Sequence, residues 1–301
     1  MDDHHHAHHD DGLLIGTPPR RKVAAMKFFG KIWPRLFIAV AIVFFVAPLL
    51  SMARFAFQRI PVISLGKDNL LKRWTIDGLL TTLRDPEFTH SLSVSLKIAF
   101  FTVVVLLVLM VPTTLWVHLA APRWRGVVET VTILPYVVPP IALVVGVSGT
   151  YRSIAPWFLA SNYSLVPFYA ILAMPFTFRS LDVGIKALDL RTLVDAAKSL
   201  GAPSLRVMWN VLLPNLRTSL INAAFLTVTV VLGEFTIASL LLKRTLPMYM
   251  AQAQGREPQG ALGLGLLILV LTTILFTLVS IIRKRDATSI SSKNINGGMV
   301  P

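Results

Sequence analysis

Asp195-Ala196-Ala197-Lys198-Ser199-Leu200-Gly201, followed after a nine-residue interval by Val211-Leu212-Leu213-Pro214, is the stretch on which the reading of this chain turns. From Leu188 to Leu200, Leu190, Leu193, Val194, Ala197 and Leu200 recur at three- and four-residue steps, while Arg191, Asp195 and Lys198 take the other side. That is the pattern of an amphipathic helix. Gly201 permits the backbone conformation that ends a helix, and Pro203 suits the start of another. The stretch therefore predicts two short helices meeting at a glycine elbow, closed by Pro214 just before the next apolar run. Ala196 and Ala197 let another surface approach closely, and Asp195 offers a carboxylate to an incoming arginine. The plainer alternative is an amphipathic helix lying against a membrane surface.

Working outward, the chain has 301 residues, 54% of them hydrophobic and only 15% charged, which is the composition of a membrane protein. Its net charge of +14 does not imply nucleic acid, because the basic residues flank apolar runs and form no stripe. With no cysteine there is neither a disulfide framework nor a thiolate metal site. The start, His4-His5-His6-Ala7-His8-His9 among aspartates, reads as a low-complexity tail or part of a tag, with metal binding as the alternative.

Six apolar spans are expected, at about Trp33–Phe57, Leu92–Leu119, Val127–Thr150, Leu165–Phe178, Leu216–Leu242 and Ala261–Ile282. Pro48 predicts a kink in the first. Pro135, Pro139, Pro140, Gly146 and Gly149 predict a broken helix in the third, a feature tolerated only against protein or a wet cavity. The polar segment between the first two spans is expected to be an external loop with a short helix over Ile76 to Leu83. Residues 1–32 and 286–301 are read as cytoplasmic tails around a transmembrane domain of residues 33–285. The larger share of the 29 lysines and arginines falls on the side of the two ends and the elbow, which favours both termini and Asp195 to Pro214 in the cytoplasm.

No catalytic set stands out, and no Gly-x4-Gly-Lys-Ser/Thr phosphate loop occurs, so no cofactor is expected. His90 and His118 read as packing or interfacial residues. Glu234, in Leu232-Gly233-Glu234-Phe235, is the one internal ionisable residue to single out: a charge at such depth is costly and usually faces a cavity, a partner or a solute path. Gly233 weakens the helix beside it. A carboxylate lining a path attracts a cation; a Glu234 that is protonated, or tied to a neighbouring chain for structure, is the equal alternative.

The pattern Asp-Ala-Ala-x3-Gly-x9-Val-x-Leu-Pro resembles the EAA loop of ABC-importer permeases, Glu-Ala-Ala-x3-Gly-x9-Ile-x-Leu-Pro, with Asp195 in place of glutamate and Val211 in place of isoleucine. Leu232 to Ala238 resembles, more briefly, the corresponding span of the spermidine/putrescine, ferric-iron and thiamine permeases, and more loosely those for sulfate and molybdate. The resemblance covers roughly Trp33 to Arg285. It implies an all-α membrane protein with the six-span type I importer (MetI-like) fold and cytoplasmic coupling helices. It also implies a non-catalytic transport subunit of a bacterial inner membrane, in contact with lipid. Its implied partners are ABC ATPase subunits docking on Asp195, Ala196, Ala197, Gly201 and Pro214, a second permease subunit, and an extracytoplasmic solute-binding protein. Gly233 and Glu234 are expected on the pathway. The expected solute is a small cation such as a polyamine, with ferric iron, thiamine or an oxyanion as alternatives. A proton-coupled secondary transporter using Glu234 is the reading from a different class, although it expects a repeat between halves that the sequence lacks.

Overall fold

In the computed structural model, residues 33–58 and 73–278 are described in full, together with the helical backbone of residues 20–32 and 279–296. The His-rich tail and most of the first polar loop lie outside the described residues. The chain divides into two units, Met1–Arg54 and Phe55–Pro301. Helix α1 (Arg20–Phe57), whose last three residues belong to the second unit, continues through Pro34 and Pro48 as one helix. Its part from Trp33 to Phe57 is long and apolar enough to cross a membrane.

The second unit is helical throughout its described residues, with one isolated antiparallel bridge between Gln58 and Trp74. It begins with α2 (Asp77–Arg84), α3 (Pro86–Leu119), α4 (Arg125–Val137) and α5 (Pro140–Ile154). Next come α6 (Pro156–Ala160), α7 (Leu165–Lys186), α8 (Leu190–Ser199) and α9 (Ser204–Val207). A π-helical turn over Met208–Leu212 leads to α10 (Leu213–Asn215) and α11 (Arg217–Gly233). The chain ends with α12 (Thr236–Leu240), α13 (Leu246–Arg256) and α14 (Pro258–Asn296). Among the described residues four helices are long and apolar enough to span a membrane, and six spans result if each of two bent pairs counts as one. The first bent pair joins Pro122–Val137 to Pro140–Ile154 at 92°, and the second joins Ser204–Asn215 to Arg217–Gly233 at 73°.

The proline reading of the third span holds in its essential point. Pro139 has an extended backbone and Pro140 starts a new helix, so the break falls between Val137 and Pro140. Gly146 and Gly149 lie inside α5 and do not break it. Three other boundaries move. The fourth span runs on to Lys186, eight residues past Phe178. Its polar end stays helical because its polar groups find partners: Ser180 donates to the Ser219 carbonyl at 3.1 Å, and Asp182 sits in an ion cluster. The fifth expected span divides, with α11 ending at Gly233 and α12 starting at Thr236. α14 passes Ile282 and continues to Asn296, where the next residues, Gly297 and Gly298, are the first glycines after Gly265.

Two apolar clusters set the frame. One, at the elbow end, packs Leu106 and Leu115 of α3, Leu181 and Ile185 of α7, and Leu190, Val194, Val207 and Leu212 of the elbow. The other, further along the same helices, holds Ile98, Leu165, Phe168, Tyr169, Val231 and Ile237. Helices α7 and α11 cross closely at Gly184, where a Cβ would lie 1.7 Å from the Ser219 hydroxyl, so only glycine allows this approach. At the opposite end Lys243 is buried, its ammonium donating to the Leu159 and Ala160 carbonyls that finish α6; burial lowers its pKa from the ordinary lysine value.

Candidate functional site

The elbow is built from its caps inward. Asp189 opens α8: its carboxylate accepts from the Thr192 amide at 3.4 Å and the Thr192 hydroxyl at 2.6 Å, and these bonds hold its pKa below the usual carboxylate value. At the other end Gly201 has φ +79°, and two bonds close the helix. The Gly201 amide donates to the Lys198 carbonyl at 2.8 Å, and the Ala202 amide to the Ala197 carbonyl at 3.1 Å. This is the Schellman arrangement, with Ala197 and Ala202 both packed on the core beneath it. The second helix then runs through the π turn to Pro214 and meets α11 at the 73° bend, where the Leu216 amide donates to the Leu212 carbonyl at 3.0 Å. Leu190 and Val194 face inward, so the elbow is fixed to the ends of α3 and α7 by burial.

Asp195, Ala196, Gly201 and Pro214 are exposed, and Ala197 is half-buried because it also serves the cap. Leu200 overturns the amphipathic pattern. Placed on the buried face by periodicity, it is 89% exposed, because the chain turns away at Gly201 and nothing among the described residues packs over it. Leu205 and Trp209, four residues apart on the second helix, are 74% and 65% exposed. Sequence reasoning did not single out Leu205 and Trp209 as exposed apolar residues. Their signal was the i, i+4 spacing of Leu205 and Trp209 on the side opposite Val207.

Beneath the elbow, Arg125 at the start of α4 holds Asp182 of α7 by two hydrogen bonds, Nε to Oδ1 at 2.7 Å and Nη2 to Oδ2 at 3.0 Å. Lys186 Nζ reaches the same carboxylate at 2.8 Å. His118 of α3 places Nε2 3.1 Å from Oδ1, outside hydrogen-bonding direction, while its Nδ1 lies 3.0 Å from the Thr114 carbonyl. The histidine read as a packing residue thus closes a charge cluster that joins α3, α4 and α7.

About 25 Å along α11 from the bend, by helical rise, lies the second expected locus. There the two helix breaks converge on one cavity of about 540 Å³, lined by Tyr136, Val138 and Pro140 from the first break and by Gly233, Glu234 and Thr236 from the second. Glu234 is half-buried and does not point freely into this space. Its carboxylate accepts from the Ile237 amide at 3.0 and 3.1 Å and from the Ala238 amide at 3.4 Å, so it caps α12. The buried Tyr169 hydroxyl lies beside the same carboxylate without reaching hydrogen-bonding geometry. The carboxylate is thus held by amides of its own chain, an arrangement that neither sequence reading of Glu234 described. Thr229 and Thr236 add hydroxyls to the cavity wall.

Residues 121–285, which include the elbow, both helix breaks and Arg125, Asp182 and Lys186 of the charge cluster, match the family described as the binding-protein-dependent transport system inner membrane component. The chain belongs to this family. Among its relatives, the permease is 29% identical over 171 residues to sulfate permease 2, chloroplastic, of Chlamydomonas reinhardtii, a match covering 52% of this chain and 45% of that one. The permease therefore spans about half the length of that relative. It is 26% identical over 239 residues to a probable molybdenum ABC transporter permease protein of Haloferax volcanii, covering 77% and 83% of the two chains. The crystal structure of a bacterial ABC transporter involved in the import of the acidic polysaccharide alginate shares the fold, with a TM-score of 0.63 at 16% identity over 90% of this permease and 99% of that chain.

Proposed function

We propose that this permease forms the solute pathway of an ATP-driven importer and takes its drive from separate ATPase subunits docked on the elbow. The observation that carries the reading is the exposed apolar set Leu200, Leu205 and Trp209 beside Asp195 and Ala196, on a two-helix unit whose inward face is locked to the core. Exposed large apolar groups grouped beside one carboxylate suit a partner groove with an arginine at its rim. Both termini and the elbow then face the cytoplasm, where ATP is, as the lysine and arginine distribution favours. A second permease copy or a homologous subunit completes the pathway, and an extracytoplasmic binding protein delivers the solute at the opposite end.

Nucleotide-driven closure of the ATPase pair moves the two elbows together. α11 carries that movement as a rod from the bend at Leu216 to the cavity at Gly233 and Glu234. The elbow works as a lever because its contacts differ between two states of the partner, which is what a coupled conformational change requires.

For the solute, a small oxyanion such as sulfate or molybdate is the reading we adopt. The polyamine expectation rested on Glu234 and on the brief resemblance to the spermidine/putrescine group, and the Glu234 carboxylate is engaged by the amides of α12. The cavity offers hydroxyls and lacks any other carboxylate in its lining. Named relatives for sulfate and molybdenum support the same choice.

The docking reading is tested by copurification of the ATPase subunit with the full chain carrying Leu200→Ala, Leu205→Ala and Trp209→Ala. Loss of at least about tenfold in retained ATPase, with unchanged thermal stability, is expected from removing apolar anchors. Wild-type retention by the triple variant removes the elbow as the docking site.

A further inference from the structure

A second cavity, of about 660 Å³, opens between α7, α11 and Phe276 of α14, apart from the two loci above. Its wall changes character along its length. Toward the elbow the polar Arg179, Asn215 and Thr218 stand among the apolar Val183, Ala187 and Leu188; deeper, beside Asn222, it is largely apolar, with Phe176, Leu226 and the ring pair Phe225 and Phe276, whose centroids are 5.6 Å apart. Arg179 is exposed, and among the described residues no carboxylate or carbonyl is recorded against its guanidinium. The only acid on α7 is Asp182, and Arg125 and Lys186 already hold it.

Among the described residues nothing neutralises this arginine, so a counter-ion from outside them suits it. By helical rise Arg179 lies about 10 Å short of the end of α7, the depth at which a long basic side chain reaches lipid phosphate while its stem stays in hydrocarbon. A soluble phosphate or sulfate would match the guanidinium but leave the phenylalanine wall without an occupant. A free acyl chain would fill the wall and leave the charge unpaired. An anionic phospholipid satisfies both at once.

We propose that this cleft is a binding site for an anionic phospholipid, with the headgroup phosphate on Arg179 and the hydroxyl of Thr218 beside it, and one acyl chain against Phe176, Leu226 and the Phe225 and Phe276 rings. The lipid belongs to the leaflet on the elbow side. It wedges between α7 and α11 just beyond their close crossing at Gly184 and Ser219, so its presence bears on the rod that leads from the elbow to the second helix break.

The test uses the full chain in nanodiscs of phosphatidylcholine, with or without a minority of phosphatidylglycerol, and reads the lipid kept by the protein in native mass spectrometry after gentle release. Wild type keeps phosphatidylglycerol over phosphatidylcholine by about tenfold, the size of one charge-assisted contact. Arg179→Gln removes the preference and Arg179→Lys keeps part of it. Should Arg179→Gln fail to fold, Phe276→Trp provides the second arm, narrowing the apolar wall away from the charge and lowering retention of both lipids. Equal retention of the two lipids by wild type overturns the proposal, as does an undiminished preference in Arg179→Gln. Displacement of the lipid by millimolar inorganic phosphate assigns the site to a soluble anion and overturns it too. So does efficient disulfide cross-linking between copies through Thr218→Cys, which assigns the cleft to a second permease.

Discussion

Arg125 and Asp182, 57 positions apart in sequence, meet in a two-point ion pair in which the carboxylate is 8% exposed and the guanidinium 34%. The pair fastens the entry of α4 to the last turns of α7, directly above the core that seats the elbow. A buried charge left alone is far more costly than a surface one, because the interior cannot replace its lost hydration. Arg125→Leu is therefore expected to lower stability by about 3 kcal/mol, the low end for a broken buried pair, since Lys186 still reaches Asp182. The double variant Arg125→Leu, Asp182→Leu should lose less than the sum of the two singles. Thermal unfolding of the four purified proteins in one detergent gives this cycle, and additive losses show that the two residues do not act as a pair.

Gly201 carries the bend of the elbow through its backbone alone. A Cβ there would meet nothing within 4 Å, yet φ is +79°, a conformation that side chains oppose. Gly201→Val should cost about 1 to 2 kcal/mol and reorient the second helix, whereas Gly201→Asn, tolerated in left-handed backbone, should cost less. The expected readout is ATP-coupled uptake that falls with Val and largely survives with Asn, at equal amounts of protein in the membrane. Equal uptake by both variants shows that the turn does not transmit motion.

Much of this architecture is legible in the sequence where a single residue type dictates the backbone. Gly201 and Pro203 announced the elbow, and the three prolines from Pro135 to Pro140 announced the break in the third span, because neither depends on what packs nearby. What escaped depends on partners remote in sequence. Ser180 and Asp182 looked like the polar end of a span, and only Ser219 and Arg125 keep that segment helical. Leu200 followed the apolar period but lies at the cap, past the last residue the period controls. Glu234 looked like a charge inside a helix; its own carboxylate, by capping α12, divides the fifth span. Helix α13 was not foreseen, since only Leu246, Tyr249 and Ala253 of it are buried and Gln252, Gln254 and Arg256 keep it from reading as an apolar span.

Tyr249 of α13 links the opposite end of the molecule to the start of α3. Its hydroxyl donates to Asp85 Oδ2 at 2.9 Å, while Asp85 Oδ1 accepts from the Glu87 amide at 2.8 Å and caps α3. Burial first, and then the Asp85 bond, push the phenol up to about 12 from 10.0. The folded state thus favours the protonated form, so this contribution is complete below pH 10 and is lost as pH rises from 10 through 12. Its size is on the order of 1 to 2 kcal/mol. Tyr249→Phe should be less stable than wild type at pH 8 and should lose less stability than wild type between pH 9 and 11. Parallel curves for the two proteins across that range exclude the bond as the cause.

Glu234 offers the sharpest separation between a structural and an electrostatic role at the pathway. Glu234→Ala removes the acceptor for the Ile237 and Ala238 amides and should destabilise the α12 turn by about 1 to 2 kcal/mol, as loss of a side-chain cap does. Glu234→Gln keeps an acceptor oxygen and removes the charge. If the solute is an oxyanion, neutralising this position does not weaken its passage, so Glu234→Gln should take up labelled sulfate or molybdate at no less than the wild-type rate while Glu234→Ala falls. A cationic solute drawn by the carboxylate gives the opposite order, with Glu234→Gln losing as much uptake as Glu234→Ala. Measuring both variants with both classes of solute, at matched protein levels, therefore tests the cap and the charge of the solute in one experiment.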